Sequence, residues 1–258
     1  MLWSASTVNS QRQYGDSWQF VKHQLLFGVL PGLALFVGIR KLGYQWFRPW
    51  ALALLSGALV LMVLVLVPSV GTHFKGATSW LLIAGISIQP SEVLKLALVV
   101  YLAAWLGEKS DRMKRWQLGL LPFGIIMVFV CLLLLLQPDL GTLGIVLSIA
   151  GGMYMAAGAP IKHMAVVAGC AVIVIIGFAF ASPLRWARVT TIFNPLADAR
   201  GSGWQLNQSF IAIGSGGVLG KGLGQSTQKF GFLPEPFGDS IFAVIVEELG
   251  LVGGLATI

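Results

Sequence analysis

Charge is what this chain has least of. Only 10% of its 258 residues are charged, against 56% hydrophobic, whereas a soluble domain of this length needs about 25% charged residues. Cysteine is scarce too: Cys131 and Cys170 both sit in apolar runs and read as buried helix residues, which excludes a disulfide framework. The histidines, His23, His73 and His163, are scattered and give no metal-ligand spacing. Short alternating apolar strands are absent, which argues against a β-barrel. No charged n-region and apolar h-region open the chain, so no signal peptide is expected. A Walker A loop fails as well. Counting back from Gly220-Lys221, the first glycine position is Ser215, and Gly222 stands where Ser or Thr belongs.

What the chain does have is apolar runs near the ~20 residues that cross a bilayer as a helix, and a mean hydropathy of +0.82. The expected fold is all-α: a polytopic helical membrane protein, with residues 1–258 as a single membrane domain. Spans are predicted at about 20–39, 50–67, 90–106, 118–136, 140–157 and 163–181, with a last run, 240–258, that is cut off. The loop 69–89 has a middle apolar enough to dip into the interface. Pro90 and Ser91 stand at helix-opening positions. Asp139, in the turn Gln137-Pro138-Asp139, is read as the cap of the following helix in preference to a catalytic group.

The formal charge of +7 does not point to nucleic acid, because the cations lie between spans. Arg40, Lys41 and Arg48 fill one short loop, Lys109, Arg112, Lys114 and Arg115 another, and Lys162 a third. Such loops face the cytoplasm, which puts residues 1–18 and the long loop 182–239 outside. Trp18, Trp46, Trp50, Trp80, Trp105, Trp116 and Trp186 lie near span ends, as an interfacial belt does.

The long loop is far above ordinary connection length, and such loops are commonly functional or disordered. Trp204, Leu206, Phe210, Ile211 and Ile213 are spaced for a short amphipathic helix, which argues against disorder. Next comes a glycine-dense run that includes Gly216, Gly217 and Gly222, with cations at Lys221 and Lys229. Its glycines suit close backbone approach to a pyrophosphate, or plain loop flexibility. Asp239 then stands at the threshold of the last apolar run. It is the best candidate for a general base, evenly balanced against an ordinary N-cap. Glu92 and Lys95, at i and i+3 on one helix face, form a second constellation; ionisable groups inside a span default to function, with a self-neutralising pair as the alternative. Glu247 and Glu248 read as partners for Lys or Arg elsewhere in the bundle.

Several separate motifs resemble one family. They are LWSAS at 2–6, GATSWL around Trp80, IQPSEVLKL at 88–96, QPDLGT at 137–142, and FNP at 193–195 through EELG at 247–250. Their order is that of the SEDS proteins (shape, elongation, division and sporulation), the FtsW/RodA/SpoVE group. The run QSTQKFGFLPE is more similar to the division type, FtsW. The resemblance implies a ten-helix bundle, of which about six helices plus one partial are expected here, most of the first and everything past part of the eighth lying outside this sequence. It implies a glycosyltransferase that polymerises lipid II into glycan strands at the outer face of the bacterial cytoplasmic membrane during cell division. The implied partners are a class B penicillin-binding transpeptidase and other divisome proteins. Asp239 falls on the family's proposed catalytic aspartate, and Glu92 and Lys95 on its functional pair. Where the family often has His-Thr before the aspartate, this chain has Phe237-Gly238.

Chemistry and resemblance meet in one expectation. Asp239 takes the proton of an acceptor sugar's 4-hydroxyl as it attacks the lipid pyrophosphate-linked donor. Lys95, Lys221, Lys229, Arg188 and the glycine loop are the candidates to meet the leaving pyrophosphate. No cofactor is certain; a divalent cation, Mg or Mn, is the one that suits a pyrophosphate. The rival readings are a lipid II flippase working through Glu92 and Lys95, and a divisome scaffold.

Overall fold

A computed structural model describes residues 2–67, 71–74, 77–83, 86–108, 115–194, 201 and 203–258. Its helices, in chain order, are α1 Leu2–Tyr14, α2 Gln19–Leu42 and α3 Tyr44–Val65, α4 Pro90–Glu108 and α5 Trp116–Leu136. They continue with α6 Leu140–Ala156, α7 Ile161–Phe180, α8 Pro183–Phe193, α9 Trp204–Gly216 and α10 Ile241–Ala256. Among the described residues, α2, α3, α4, α5 and α7 are long and apolar enough to cross a membrane. α6 is an apolar helix of 17 residues, and α10, of 16 residues, is broken at Gly250, where φ is 71°.

The chain gathers into two compact units, Lys41–Phe178 and a second made of Met1–Arg40 with Ala179–Ile258. In the first unit, α3 packs on α4, α4 on α6 and α5 on α6. Each helix turns one stripe inward at helical spacing. The stripes are Leu55, Ala58 and Met62; Leu94, Leu98 and Leu102; Phe123, Met127, Val130 and Leu134; Leu143, Val146, Ala150 and Tyr154. The outer faces are just as apolar, with Leu96, Ile125 and Val128 exposed, as helices bathed in hydrocarbon require. Lipid supplies no hydrophobic drive for one helix to meet another, so close packing at small residues does that work; Ala58, Ala97 and Ala150 are all buried.

Polar ties finish this unit. Asp139 caps α6, its carboxylate accepting from the Thr142 amide at 3.0 Å and the Thr142 hydroxyl at 2.7 Å. Gln137, fully buried, donates to the Met62 carbonyl at 2.8 Å. His163 on α7 meets the Tyr154 hydroxyl of α6 at 3.0 Å, and Trp116 packs edgewise on the same imidazole.

One expectation is corrected here. The segment 69–89 contains a three-stranded antiparallel sheet, β1 Gly71–Phe74, β2 Ala77–Ile83 and β3 Ile86–Ile88. Thr72 pairs with Trp80, and Leu82 with Ser87. The β-branched and aromatic content of β2 suits a pleated surface, and β2 lies against α3 and α4. The all-α architecture thus carries one small sheet. Lys75 and the cations at 109, 112 and 114 lie outside the described residues.

In the second unit, α1 packs on the start of α2 and on α10, and α9 packs along α10. Trp3 meets Trp18 with centroids 5.4 Å apart, and Phe20 meets Phe237 at 4.8 Å. The helix expected around Trp204 is α9; α8 adds a second helix within the long loop.

Candidate functional site

A helix that breaks leaves backbone groups unpaired, and in an apolar setting each must find a partner. The break at Gly250 frees the carbonyls of Glu247 and Glu248 and the amides of Leu251 and Val252. The glycine-dense loop satisfies them strand-fashion. The amides of Lys221 and Gly222 donate to the Glu247 and Glu248 carbonyls at 3.0 and 2.9 Å, and the amides of Leu251 and Val252 donate to the Gly217 and Val218 carbonyls at 2.9 and 3.3 Å. This approach explains the glycines. A Cβ on Gly216 would strike the Val246 carbonyl, and one on Gly220 or Gly250 would strike the backbone opposite. Gly217, Gly220 and Gly222 also take positive φ, at 57°, 80° and 105°, a region open to glycine and costly for other residues.

The loop therefore serves the helix, and its amides at Lys221 and Gly222 are not free to cradle a pyrophosphate. That removes Gly222 from the expected cradle, and Gly216 closes α9 against the Val246 carbonyl. The cations follow the same logic. Glu247 and Glu248 are fully buried, and buried carboxylates persist only when paired and hydrogen-bonded. Glu247 accepts from Lys221 Nζ at 2.8 Å, Ser226 Oγ at 2.6 Å, and Thr227 through its amide at 3.0 Å and its hydroxyl at 2.9 Å. Glu248 accepts from Lys229 Nζ at 2.9 Å and from Ser4 Oγ of α1 at 2.6 Å.

An ammonium has three protons to give. Lys229 directs its own to Glu248, to the Gly224 carbonyl at 2.7 Å and to Ser4 Oγ at 3.1 Å, so it holds none for a leaving group. Its expected role is replaced by a structural one. Lys221 keeps about a third of its side chain exposed (32%) while paired to Glu247. The two acids and two cations cancel, and the lattice ties α1, the glycine loop and α10 into one piece. Ser4, Ser226 and Thr227 are the members that sequence reasoning missed.

Asp239 is exposed, and its carboxylate makes no hydrogen bond or ion pair with another described residue. It is not the cap of α10: that position is Ser240, whose side chain makes no capping bond. Of the two readings of Asp239, the N-cap is the one the geometry removes. Its backbone is held on both sides. The Gly238 and Ser240 amides donate to the Glu235 carbonyl at 3.1 and 3.2 Å. An exposed, unneutralised carboxylate on a tethered turn can accept a proton from an incoming hydroxyl.

In the other unit, Glu92 and Lys95 pair with each other at 2.8 Å, with Glu92 58% exposed and Lys95 20%. Arg188 lies in α8, and its side chain is outside the described part. The described residues contain no group of three His, Cys, Asp or Glu side chains that could hold a metal.

The FtsW/RodA/SpoVE cell cycle protein model matches residues 1–258. The chain belongs to this family. It is 40% identical to stage V sporulation protein E of Bacillus subtilis over 254 residues, 98% of this chain and 69% of that one. It is 37% identical to a probable peptidoglycan glycosyltransferase FtsW of Trichlorobacter lovleyi, over all of this chain and 68% of the relative. Among solved structures, a chain of a peptidoglycan synthase complex that coordinates polymerization and crosslinking superposes with a TM-score of 0.69 at 27% identity, over 99% of this chain and 70% of that one. The rod shape determining protein RodA of Thermus thermophilus shares the fold, with a TM-score of 0.59 at 23% identity over 99% of this chain and 66% of its own. As an FtsW/RodA/SpoVE protein with five helices of spanning length among its described residues, the chain is a multi-pass membrane protein.

Proposed function

We propose that this chain is a peptidoglycan glycosyltransferase that extends glycan strands from lipid II, with Asp239 as its general base. One observation carries the assignment of the base. Among the described residues of its unit, Asp239 is the acid that is both exposed and without a partner, while Glu247 and Glu248 are buried and saturated. The acceptor's 4-hydroxyl oxygen forms the new bond to the donor's anomeric carbon, the bond from that carbon to the pyrophosphate breaks with inversion, and the hydroxyl proton goes to Asp239. A positioned base of this kind contributes about 10²- to 10⁴-fold. Lys221, through its unspent donor, and Arg188 are the cations proposed for the departing pyrophosphate. Glu92 and Lys95 are proposed, on the family resemblance, to support activity. A divalent cation, Mg or Mn, is proposed to enter on the pyrophosphate's own oxygens.

The relatives' names and the synthase-complex neighbour support a class B transpeptidase as partner. The loop cations support the cytoplasmic membrane with residues 182–239 outside. The test is lipid II polymerisation in liposomes with the transpeptidase present, comparing wild type, Asp239→Asn and Asp239→Glu, with lipid II translocation followed in parallel. Polymerisation is expected to fall at least about 100-fold in Asp239→Asn, and sharply in Asp239→Glu because one methylene misplaces the base. Full polymerisation by Asp239→Asn removes Asp239 from the chemistry. Translocation without polymer transfers the assignment to a flippase.

A further inference from the structure

A base with no side-chain partner is aimed only by its backbone, so whatever holds residues 234–240 sets the direction of Asp239. Glu235, between Pro234 and Pro236, takes a φ of 47°, a conformation that costs a non-glycine residue energy and persists where its surroundings over-determine it. The surroundings here centre on Ser240. This residue is 3% exposed, and its hydroxyl turns away from its own helix, where it makes no capping bond. It donates instead to the Pro234 carbonyl at 3.0 Å and accepts from Gln205 Nε2 of α9 at 3.2 Å. With the Ser240 and Gly238 amides both on the Glu235 carbonyl, the turn is closed by hydrogen bonds on both sides of Asp239. A buried serine that only needed satisfying could bond back within α10, at no cost in reach; this one links three segments.

We propose that Gln205 and Ser240 are positioning residues for Asp239. Gln205, anchored in a helix packed along α10, holds the Ser240 hydroxyl against Pro234, and this fixes the turn that presents the carboxylate to the acceptor hydroxyl. The inference rests on Asp239 being the base, and the experiment separates the two. Ser240→Ala, Gln205→Ala and the double variant are assayed for kcat and KM on lipid II with the transpeptidase partner, beside Asp239→Asn, and melting temperatures are recorded. A misplacement of about 1 Å costs on the order of 100-fold, so each single variant is expected to lose roughly 10- to 100-fold in kcat with KM held and the melting temperature lowered by only a few degrees. The double variant should be no worse than the poorer single one, because both break the same chain of bonds. Ser240→Thr, which keeps the hydroxyl, restores most of the rate. Unchanged kcat in both single variants, with Asp239→Asn inactive, overturns the positioning role and leaves the base in place. Loss that tracks melting temperature, or additive losses in the double variant, also overturns it. An active Asp239→Asn overturns both.

Discussion

Lys229→Met removes the cation from Glu248 and keeps most of the apolar stem. In the native fold Glu248 is fully buried and Lys229 5% exposed, so water does not replace the lost charge. Breaking one side of a buried ion pair costs roughly 3–5 kcal/mol, because the remaining charge is left uncompensated. Glu248 keeps the Ser4 hydroxyl at 2.6 Å and the more distant Ser226 amide at 3.4 Å, which sets the expected loss near the lower end, about 3 kcal/mol. Against a whole-domain stability of about 5–15 kcal/mol, that is a severe lesion. The double variant Lys229→Met/Glu248→Gln removes the orphan charge and should regain about 0.5–3 kcal/mol of the loss, the range of coupling for groups in one network. Lys221→Met should be milder, since Glu247 retains Ser226 and Thr227 and the lysine is already part exposed. Thermal unfolding in detergent, followed by tryptophan fluorescence, ranks the variants. A Lys229→Met protein that melts with wild type, or a double variant no better than the single, refutes the claim that an unpaired buried charge sets the cost.

The glycines give a matched comparison. Gly220 and Gly224 both have φ near 80°, but a Cβ would strike backbone at Gly220 and meet nothing within 4 Å at Gly224. Gly224→Ala should therefore cost only the left-handed penalty of about 1–2 kcal/mol, whereas Gly220→Ala should undock the loop from α10; equal melting temperatures count against the docking. At the surface, hydrogen bonds from Lys22 and then from the Trp18 amide hold the Asp16 carboxyl below the usual carboxylate range. A depressed folded pKa gives a contribution that is present above the unfolded value of about 3.9 and lost as pH falls through the folded value. The contact between α1 and α2 should thus loosen only below about pH 4, seen as a change in Trp18 fluorescence that Asp16→Asn abolishes.

The helices were legible because what makes them lies within one turn of chain. Apolar stretches of sufficient length marked 90–106 and 118–136, and the observed helices are Pro90–Glu108 and Trp116–Leu136. Asp139 announced the start of α6 through its place in the turn Gln137-Pro138-Asp139, and Trp204, Phe210 and Ile211 announced α9. The sheet escaped notice because β2 is short and apolar on successive residues, without the alternation that distinguishes a strand from a stretch dipping into an interface.

At the site, sequence separated the candidates only in part. Asp239, Glu92 and Lys95 could be named, since an acid beside an apolar run and an i, i+3 ion pair are local patterns. The roles of Lys221, Lys229 and the glycines could not, because those roles are set by what lies across from them. Ser4 reaches Glu248 from 244 positions away, and Gln205 reaches Ser240 from 35. Periodicity, capping and length act between neighbours and are written in order along the chain. Burial of a carboxylate, the donor that must neutralise it and the backbone that must approach a broken helix are decided only when distant segments close on one another.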